Sequence, residues 1–135
     1  MVVHYIVLFR IQHSKCHDQH AQGLTFDVGA AADRKQDLYV ELAQITRPIE
    51  PVLALARAAK SRGMPVAIAT GGAWRQVGPA LAASGLADFF DAVITADDVT
   101  NGKPHPETFI KAAAAIGVAP ELCVGYEDAP LGMEA

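Results

Sequence analysis

The stretch Pro65-Val-Ala-Ile-Ala-Thr-Gly-Gly72 joins an uninterrupted apolar run to two adjacent glycines. Apolar runs of this length, without polar alternation, are typical of parallel strands that are buried on both faces of a sheet. Two further runs have the same character, Asp91-Ala-Val-Ile-Thr-Ala96 and Leu122-Cys-Val-Gly-Tyr126. We therefore expect three buried strands in one parallel sheet.

Helical patterns separate these runs. Apolar residues recur at helical spacing within 51–62, 73–84 and 106–116, and each segment is followed by a glycine that can end a helix, Gly63, Gly85 and Gly117. Strands that alternate with helices predict an α/β fold, a three-layer Rossmann-like parallel sheet covered on both faces.

Two faces of these helices can be predicted from spacing. In the helix over 51–62, the residues expected to share the buried face are Val52, Leu55, Ala56 and Ala59. Upstream, a helix is expected over 30–45, with an apolar stripe formed by Ala31, Leu38, Leu42 and Ile45. A last helix is expected to begin at Pro130, because proline is favoured in the first turn.

Composition excludes several classes of function. The 135 residues are 51% hydrophobic and 19% charged, as in a globular domain, and the formal net charge is −4. The 11 basic residues are scattered, so we expect no nucleic-acid partner. The apolar start, Met1 to Arg10, lacks a basic n-region and is too short to span a membrane, so we expect neither a signal peptide nor a membrane partner. Oligomeric state stays open.

The two cysteines predict a reducing, cytoplasmic location. Cys123 lies in an apolar run and is expected to be a small buried side chain, and Cys16 lies in a polar stretch. Cys16, with His13, His17 and His20, has near-helical spacing that a metal could use. A solvated turn is the interpretation we favour for this stretch.

Polar groups follow each predicted strand. The carboxyl ends of parallel strands meet at one edge of a sheet, where functional groups gather. The first group is Thr70-Gly71-Gly72, which leads into a helix. Glycines let backbone N–H groups approach a phosphate, and the helix N-terminus adds partial positive charge. An ordinary tight turn is the alternative.

The other two strand ends carry charges. Lys103 lies in the proline-stiffened loop Asn101-Gly-Lys-Pro-His-Pro106, where a fixed ammonium could neutralise phosphate, the alternative being a solvated surface lysine. Glu127 and Asp128 follow the third strand, and adjacent carboxylates suit Mg²⁺. Asp128 could instead, or as well, cap the helix that begins at Pro130.

Three segments resemble motifs two, three and four of haloacid-dehalogenase-like (HAD) phosphatases, most closely the β-phosphoglucomutase and sugar-phosphatase branch. They are Ile68-Ala-Thr-Gly-Gly72, Ala96-Asp-Asp-Val-Thr-Asn-Gly-Lys-Pro-His-Pro-Glu-Thr-Phe109 and Val124-Gly-Tyr-Glu-Asp-Ala-Pro-Leu-Gly-Met133. The resemblance covers about 48–135.

The resemblance implies a function and a set of roles. It implies Mg²⁺-dependent phosphoryl transfer on a small phosphorylated sugar, by a phosphatase or a phosphomutase. Thr70 and Lys103 would be catalytic, and both would bind phosphate together with Gly71 and Gly72. Asp128 would bind Mg²⁺, with Glu127 as a further ligand or as its partner.

The resemblance also implies a division of the chain. Residues 48–135 would form the HAD-like core, truncated at its C-terminus. Residues 24–47 would be the remnant of a helical cap, and 1–23 an atypical lead-in with a possible strand over 4–9. Since the family places its first strand between those of motifs two and four, we expect His4-Tyr-Ile-Val-Leu-Phe9 to occupy that central position.

The sequence departs from the family at motif one. The string Asp-x-Asp-Gly-Thr, whose first Asp is the nucleophile, does not occur, and its nearest imitation is Thr25-Phe-Asp-Val-Gly-Ala30. We interpret Asp27 as a cap or loop residue. We therefore expect an inactive or impaired chain, explained by a gene fragment, a mispredicted start or a decayed copy. The alternatives to an enzyme are a non-catalytic remnant and an interaction module that uses an exposed sheet edge.

Overall fold

The computed structural model describes residues 4–7, 27–42, 45 and 47–135. Within these ranges the strands are β1 (His4–Val7), β2 (Val66–Ala69), β3 (Ala92–Ile94) and β4 (Cys123–Gly125). The α-helices in the same ranges are α1 (Val28–Leu42), α2 (Glu50–Lys60), α3 (Trp74–Ala83), α4 (Glu107–Ala115) and α5 (Pro130–Glu134). The predicted strands and helices of the segment 48–135 are confirmed, with ends that differ by one or two residues.

The strands form one parallel sheet in the order β3-β2-β1-β4. Tyr5 of β1 pairs with Val66 on one side and Val124 on the other. The prediction that the N-terminal apolar run takes the central position is therefore confirmed for His4–Val7. Leu8 and Phe9 lie outside the described residues.

Strand β2 presents a different set of side chains to each face of the sheet. Val66 and Ile68 belong to a cluster with buried residues of α2 and α3, among them Leu53 and Leu81. Ala67 and Ala69 point the other way and pack on α4, together with Ala112 and Ala113. Helices thus cover both faces of the sheet, and the predicted three-layer α/β fold is confirmed. Alanines on both sides of the α4 contact let this helix lie close to the sheet.

The buried face of α2 differs from the prediction by one position. Leu53, Ala56 and Ala59 are buried, whereas Leu55 is 40% exposed and Val52 only half-buried. Ala56 and Ala59 fit both a stripe that contains Leu53 and a stripe that contains Leu55. Helical spacing alone does not decide which of the two leucines is buried.

The predicted apolar stripe of α1 is largely exposed. Leu38 is 40% and Leu42 is 50% exposed, and Ile45, beyond the end of the helix, is 69% exposed. Asp37 of α1 forms an ion pair of 2.5 Å with Arg75 of α3, and the two helices are in contact. The helix predicted over 30–45 is confirmed as Val28–Leu42, which starts two residues earlier and ends three residues earlier than predicted.

The helix ends follow the predicted chemistry. The Oδ1 atom of Asp27 accepts a hydrogen bond of 3.0 Å from the Ala30 N–H, so Asp27 caps α1 as expected. Gly63, Gly85 and Gly117 follow helices with φ of 73°, 70° and 68°, the left-handed region that glycine favours. Among the described helices, none has the length and apolar character needed to cross a bilayer.

Candidate phosphate-binding site

The turn after β2 leaves open space in front of its backbone. Thr70 is 4% exposed, and its Oγ1 atom accepts a hydrogen bond of 3.1 Å from the Gly72 N–H. Among the described residues, none would lie within 4 Å of a Cβ atom built on Gly71, and helix α3 begins at Trp74. The Thr70 hydroxyl therefore keeps its proton for another acceptor, and an anion could approach the backbone here.

The loop after β3 is tied to this turn and closed on itself. Asp97 accepts a hydrogen bond of 2.8 Å from the Trp74 N–H at the start of α3. Asp98 accepts from the Thr95 hydroxyl at 2.7 Å and from the Thr95 N–H at 2.8 Å. These bonds lower the pKa of Asp98, the side-chain bond from Thr95 being the largest cause. Asp97 and Asp98 therefore both stabilise the loop after β3.

Glu107, which opens α4, holds the segment just before Lys103. Its carboxylate accepts hydrogen bonds of 2.9 Å from the N–H groups of Thr100 and Asn101. Lys111, one turn further along α4, lies 2.9 Å away. The bonds from Lys111, then Thr100 and Asn101, lower the pKa of Glu107 to about 2. Glu107 thereby fixes the backbone at Thr100 and Asn101, which leads to Lys103.

Lys103 connects the ends of two strands. Its Nζ atom lies 3.2 Å from the carbonyl oxygen of Ala69 at the end of β2, and 2.6 Å from Oε2 of Glu127 beyond the end of β4. The same ammonium lies 4.5 Å from the centroid of the Phe109 ring. The side chain is only 14% exposed, so the alternative of a solvated surface lysine is wrong.

Glu127 folds back over the first turn of α5. Besides Lys103, its carboxylate accepts hydrogen bonds from the N–H groups of Asp128, at 3.2 Å, and Ala129, at 3.0 Å. Its side chain is 11% exposed, whereas Asp128 is exposed. The N-cap of α5 is Ala129, without a side-chain cap hydrogen bond, so the capping alternative for Asp128 is not realised.

Comparison with known proteins decides the family. The model of the haloacid dehalogenase-like hydrolases matches residues 6–135, nearly the whole chain. The chain belongs to the haloacid dehalogenase-like hydrolases. The resemblance suggested by the three motifs is thereby confirmed.

Curated relatives of this HAD chain include phosphatases of sugar and polyol phosphates. Fructose-1-phosphate phosphatase YqaB of Escherichia coli K12 is 44% identical over 71 residues, which are 53% of this chain and 38% of that protein. Hexitol phosphatase B of the same organism is 35% identical over 97 residues, 71% of this chain and 44% of the relative. The chain thus spans less than half the length of these two relatives.

Solved structures share the fold. β-Phosphoglucomutase from Clostridium difficile aligns with a TM-score of 0.68 at 28% identity, over 78% of this HAD chain and 48% of that one. A family IA, variant 3 HAD hydrolase from Entamoeba histolytica aligns with a TM-score of 0.75 over 98% of this chain and 78% of its own length. At 19% identity, the second alignment shows the fold alone.

The described residues do not make a complete Mg²⁺ site in this HAD chain. No group of three or more His, Cys, Asp or Glu side chains that could hold a metal occurs in the part of the chain that the structure describes. Both oxygens of Glu127, the first carboxylate of the predicted pair, already contact Lys103 or backbone donors. Because Mg²⁺ usually takes one or two carboxylates together with waters and substrate phosphate, Asp128 would be the residue that holds the ion, and the described residues would not enclose it.

Two cysteine expectations had different outcomes. Cys16, with His13, His17 and His20, lies outside the described residues, so the metal and turn interpretations of that stretch stay predictions. Cys123 is half-buried instead of buried, because no strand in the part of the chain that the structure describes lies beyond β4. Burial, and secondarily the charge of Glu121, raise the pKa of the Cys123 thiol.

Sequence reasoning missed two residues that support Lys103. Glu107 holds the loop and Phe109 packs under the ammonium. An acidic residue in the first turn of a helix is a recognisable signal for Glu107, because helix N-termini favour negative charge. For Phe109 the sequence offers no signal, since its contact depends on how α4 crosses the sheet.

Proposed function

We propose that this chain binds the phosphoryl group of a small phosphorylated sugar or polyol where the Thr70 turn, Lys103 and the Glu127-Asp128 segment meet. The observation that carries the proposal is the position of the Lys103 ammonium, in contact with both the Ala69 carbonyl and the Glu127 carboxylate. A single side chain thus joins three loops that are far apart in the sequence, at the sheet edge where α/β proteins bind ligands.

Each group has a chemical task in this proposal. The Thr70 hydroxyl donates to a phosphoryl oxygen, since its own lone pair already accepts the Gly72 N–H. The Gly71 backbone and the N-terminus of α3 supply partial positive charge. Lys103 balances the negative charge of the phosphoryl group from a fixed position, which is how a preorganised cation stabilises phosphoryl transfer. Glu127 holds Lys103, and Asp128 stays the candidate for a metal ligand.

Turnover by the family's covalent route needs a nucleophilic carboxylate. The ten residues that follow β1 in the sequence, Leu8 to His17, include no Asp or Glu. Asp27 is used as the cap of α1 and has no carboxylate two positions further on. We therefore propose that this chain binds phosphorylated ligands but hydrolyses them slowly or not at all.

The names of the relatives support the ligand class. One is a fructose-1-phosphate phosphatase and another a hexitol phosphatase, so both act on phosphate monoesters of small polyhydroxy compounds. They favour the phosphatase over the phosphomutase reading. A division into a cap remnant over 24–47 and a core over 48–135, and a cytoplasmic location, stay predictions.

Isothermal titration with fructose 1-phosphate, and with fructose as the ligand that lacks the phosphoryl group, tests the proposal. We expect saturable binding of the phosphorylated sugar alone. Lys103→Met should weaken it about tenfold or more, the equivalent of one charged hydrogen bond. Arg62→Met is the matched control, since it removes one positive charge from the exposed turn after α2. Equal binding of both sugars, or equal losses in both variants, would contradict the proposal.

A turnover assay with a generic aryl phosphate and Mg²⁺ tests the proposal that the chain hydrolyses phosphorylated ligands slowly or not at all. We expect a rate at the background level from correctly folded protein. Hydrolysis that is abolished by Asp27→Ala would show that this residue is a nucleophile after all and that our assignment of it as a cap is incomplete.

The interaction module has one observation in its favour. Among the described strands, β4 is an edge of the sheet, and a cavity of about 350 Å³ beside it is lined by mainly apolar residues, including Phe109, Ile110 and Met133. An exposed edge of this kind can pair with another strand. Size-exclusion chromatography over a range of concentrations would detect self-association through it.

A further inference from the structure

We infer that Gly132 is a positioning residue for Lys103, and that it acts through Glu127. The inference rests on the proposed function, since Lys103 is the cation assigned to the phosphoryl group. Gly132 is buried in the short helix α5, directly beneath the side chain of Glu127. A Cβ atom built on Gly132 would approach three atoms of that side chain, Cγ, Cδ and Oε2, to well under 3.0 Å.

Contacts that short do not occur between real atoms, so a side chain at this position requires Glu127 to move. Glu127 is not free to move without loss. One oxygen is bound to Lys103 and the other accepts two backbone N–H groups, and the side chain is 11% exposed. Because Gly132 has no side chain, the Glu127 carboxylate can pack against α5 and still contact Lys103.

The clash falls on the oxygen that faces Lys103. Oε2 is both the partner of the ammonium, at 2.6 Å, and one of the atoms that a Cβ at 132 would displace. Displacement of this oxygen removes the charged partner of Lys103, which then keeps only the Ala69 carbonyl and the Phe109 ring. The Lys103 ammonium then loses its fixed position beside the Thr70 turn, and its contribution to the affinity for phosphate decreases.

Helix propensity makes the test sharp. Alanine favours a helix over glycine, so Gly132→Ala should stabilise α5 if nothing else intervenes. We expect the opposite, a lower urea midpoint in Gly132→Ala. When Glu127→Ala is already present, the obstacle is gone, and we expect Gly132→Ala to raise the midpoint or leave it unchanged. The same loss in both backgrounds would overturn the inference.

Two functional readouts separate positioning from general damage. The first is the side-chain ammonium signal of Lys103 in ¹H–¹⁵N NMR, assigned by its disappearance in Lys103→Met. A salt-bridged, mostly buried ammonium is protected from exchange, and we expect the signal to vanish in Gly132→Ala. Gly125→Ala is the matched control, because a Cβ on Gly125 would come within 4 Å of Phe109 alone among the described residues, at an ordinary 3.9 Å.

The second readout is the Kd for inorganic phosphate, which we expect to rise about tenfold in Gly132→Ala and to stay unchanged in Gly125→Ala. Loss of the ammonium signal without phosphate binding in any variant would refute the proposed function and leave the positioning by Gly132 standing. An ammonium signal and a Kd that both survive Gly132→Ala would refute the positioning itself.

Discussion

The ion pair between Lys103 and Glu127 gives the most informative stability prediction. Both side chains are largely buried, at 14% and 11% exposure, and 2.6 Å separates their charged atoms. Glu127→Gln keeps the shape of the side chain and an oxygen for the backbone N–H groups of Asp128 and Ala129 but removes the charge. Lys103→Met keeps the length of the side chain and removes the opposite charge.

The magnitude follows from what each variant leaves behind. Removing one partner of a buried pair costs about 3–5 kcal/mol when the remaining charge has no compensation. In Glu127→Gln, Lys103 keeps the Ala69 carbonyl and the Phe109 ring, and a cation over a ring is worth about 1 kcal/mol. In Lys103→Met, Glu127 keeps the N–H groups of Asp128 and Ala129. We therefore expect each single variant to lose about 2–3 kcal/mol of unfolding free energy. The double variant, which leaves no unpaired charge, should lose no more than either single variant.

Urea unfolding of the four proteins, followed by circular dichroism, measures this cycle. We expect a coupling energy of about 2 kcal/mol, because the double loss is smaller than the sum of the single losses. Losses that add to within about 0.5 kcal/mol would mean that the two charges do not interact in the folded protein. The contact between the loops after β3 and β4 would then be refuted.

Three further predictions test other parts of the structure. The bonds from Lys111, Thr100 and Asn101 lower the pKa of Glu107 from its ordinary 4.5 to about 2 in the folded protein, so its contribution to stability is complete above pH 4.5 and is lost as the pH falls towards 2. The unfolding free energies of the parent and Glu107→Gln should therefore converge over that interval, and a constant difference would contradict the assignment. Asp27→Ala should cost about 1 kcal/mol through loss of the α1 cap, with the Kd for phosphate unchanged; a weakened Kd would contradict a purely structural use. Leu53→Ala should cost about 3 kcal/mol in urea unfolding and Leu55→Ala less than about 0.5 kcal/mol, and similar losses would refute the burial of the α2 face that contains Leu53.

Most of the fold could be predicted because local and global signals agree. Runs such as Val66–Ala69 are apolar on both faces, and glycines such as Gly63 end the helices. Parallel strands joined by helices predict the layers, with helices on both faces of the sheet. The position of β1 was predicted from the resemblance, because the family places its first strand between those of motifs two and four, and the register with β2 and β4 agrees with it.

The details that escaped prediction depend on neighbours that spacing does not reveal. Leu53, rather than Leu55, completes the buried face of α2 because the angle of the helix on the sheet decides between two similar stripes. Cys123 is half-buried because β4 is an edge strand among those that the structure describes. The stripe of α1, with Leu42 half exposed, has the right period without a described surface to cover it.

For the candidate site, the sequence predicted which residues lie near one another better than it predicted the role of each residue. Strand-end logic selected Thr70, Lys103, Glu127 and Asp128, and the lysine lies between the ends of β2 and β4. That Glu127 turns inwards to Lys103 depends on the space above Gly132 and on two backbone donors. The direction in which a side chain points depends on three-dimensional packing, and the residues next to it in the sequence do not determine it.

Titration of inorganic phosphate into ¹⁵N-labelled protein tests the central claim most directly. If the three loops form one site, the amide signals of Gly71, Gly72, Lys103 and Asp128 should shift together along curves with a single Kd. The amides of Gly63 and Gly117, in turns that follow α2 and α4, should not move. Shifts confined to one loop, or separate Kd values for different loops, would contradict the account.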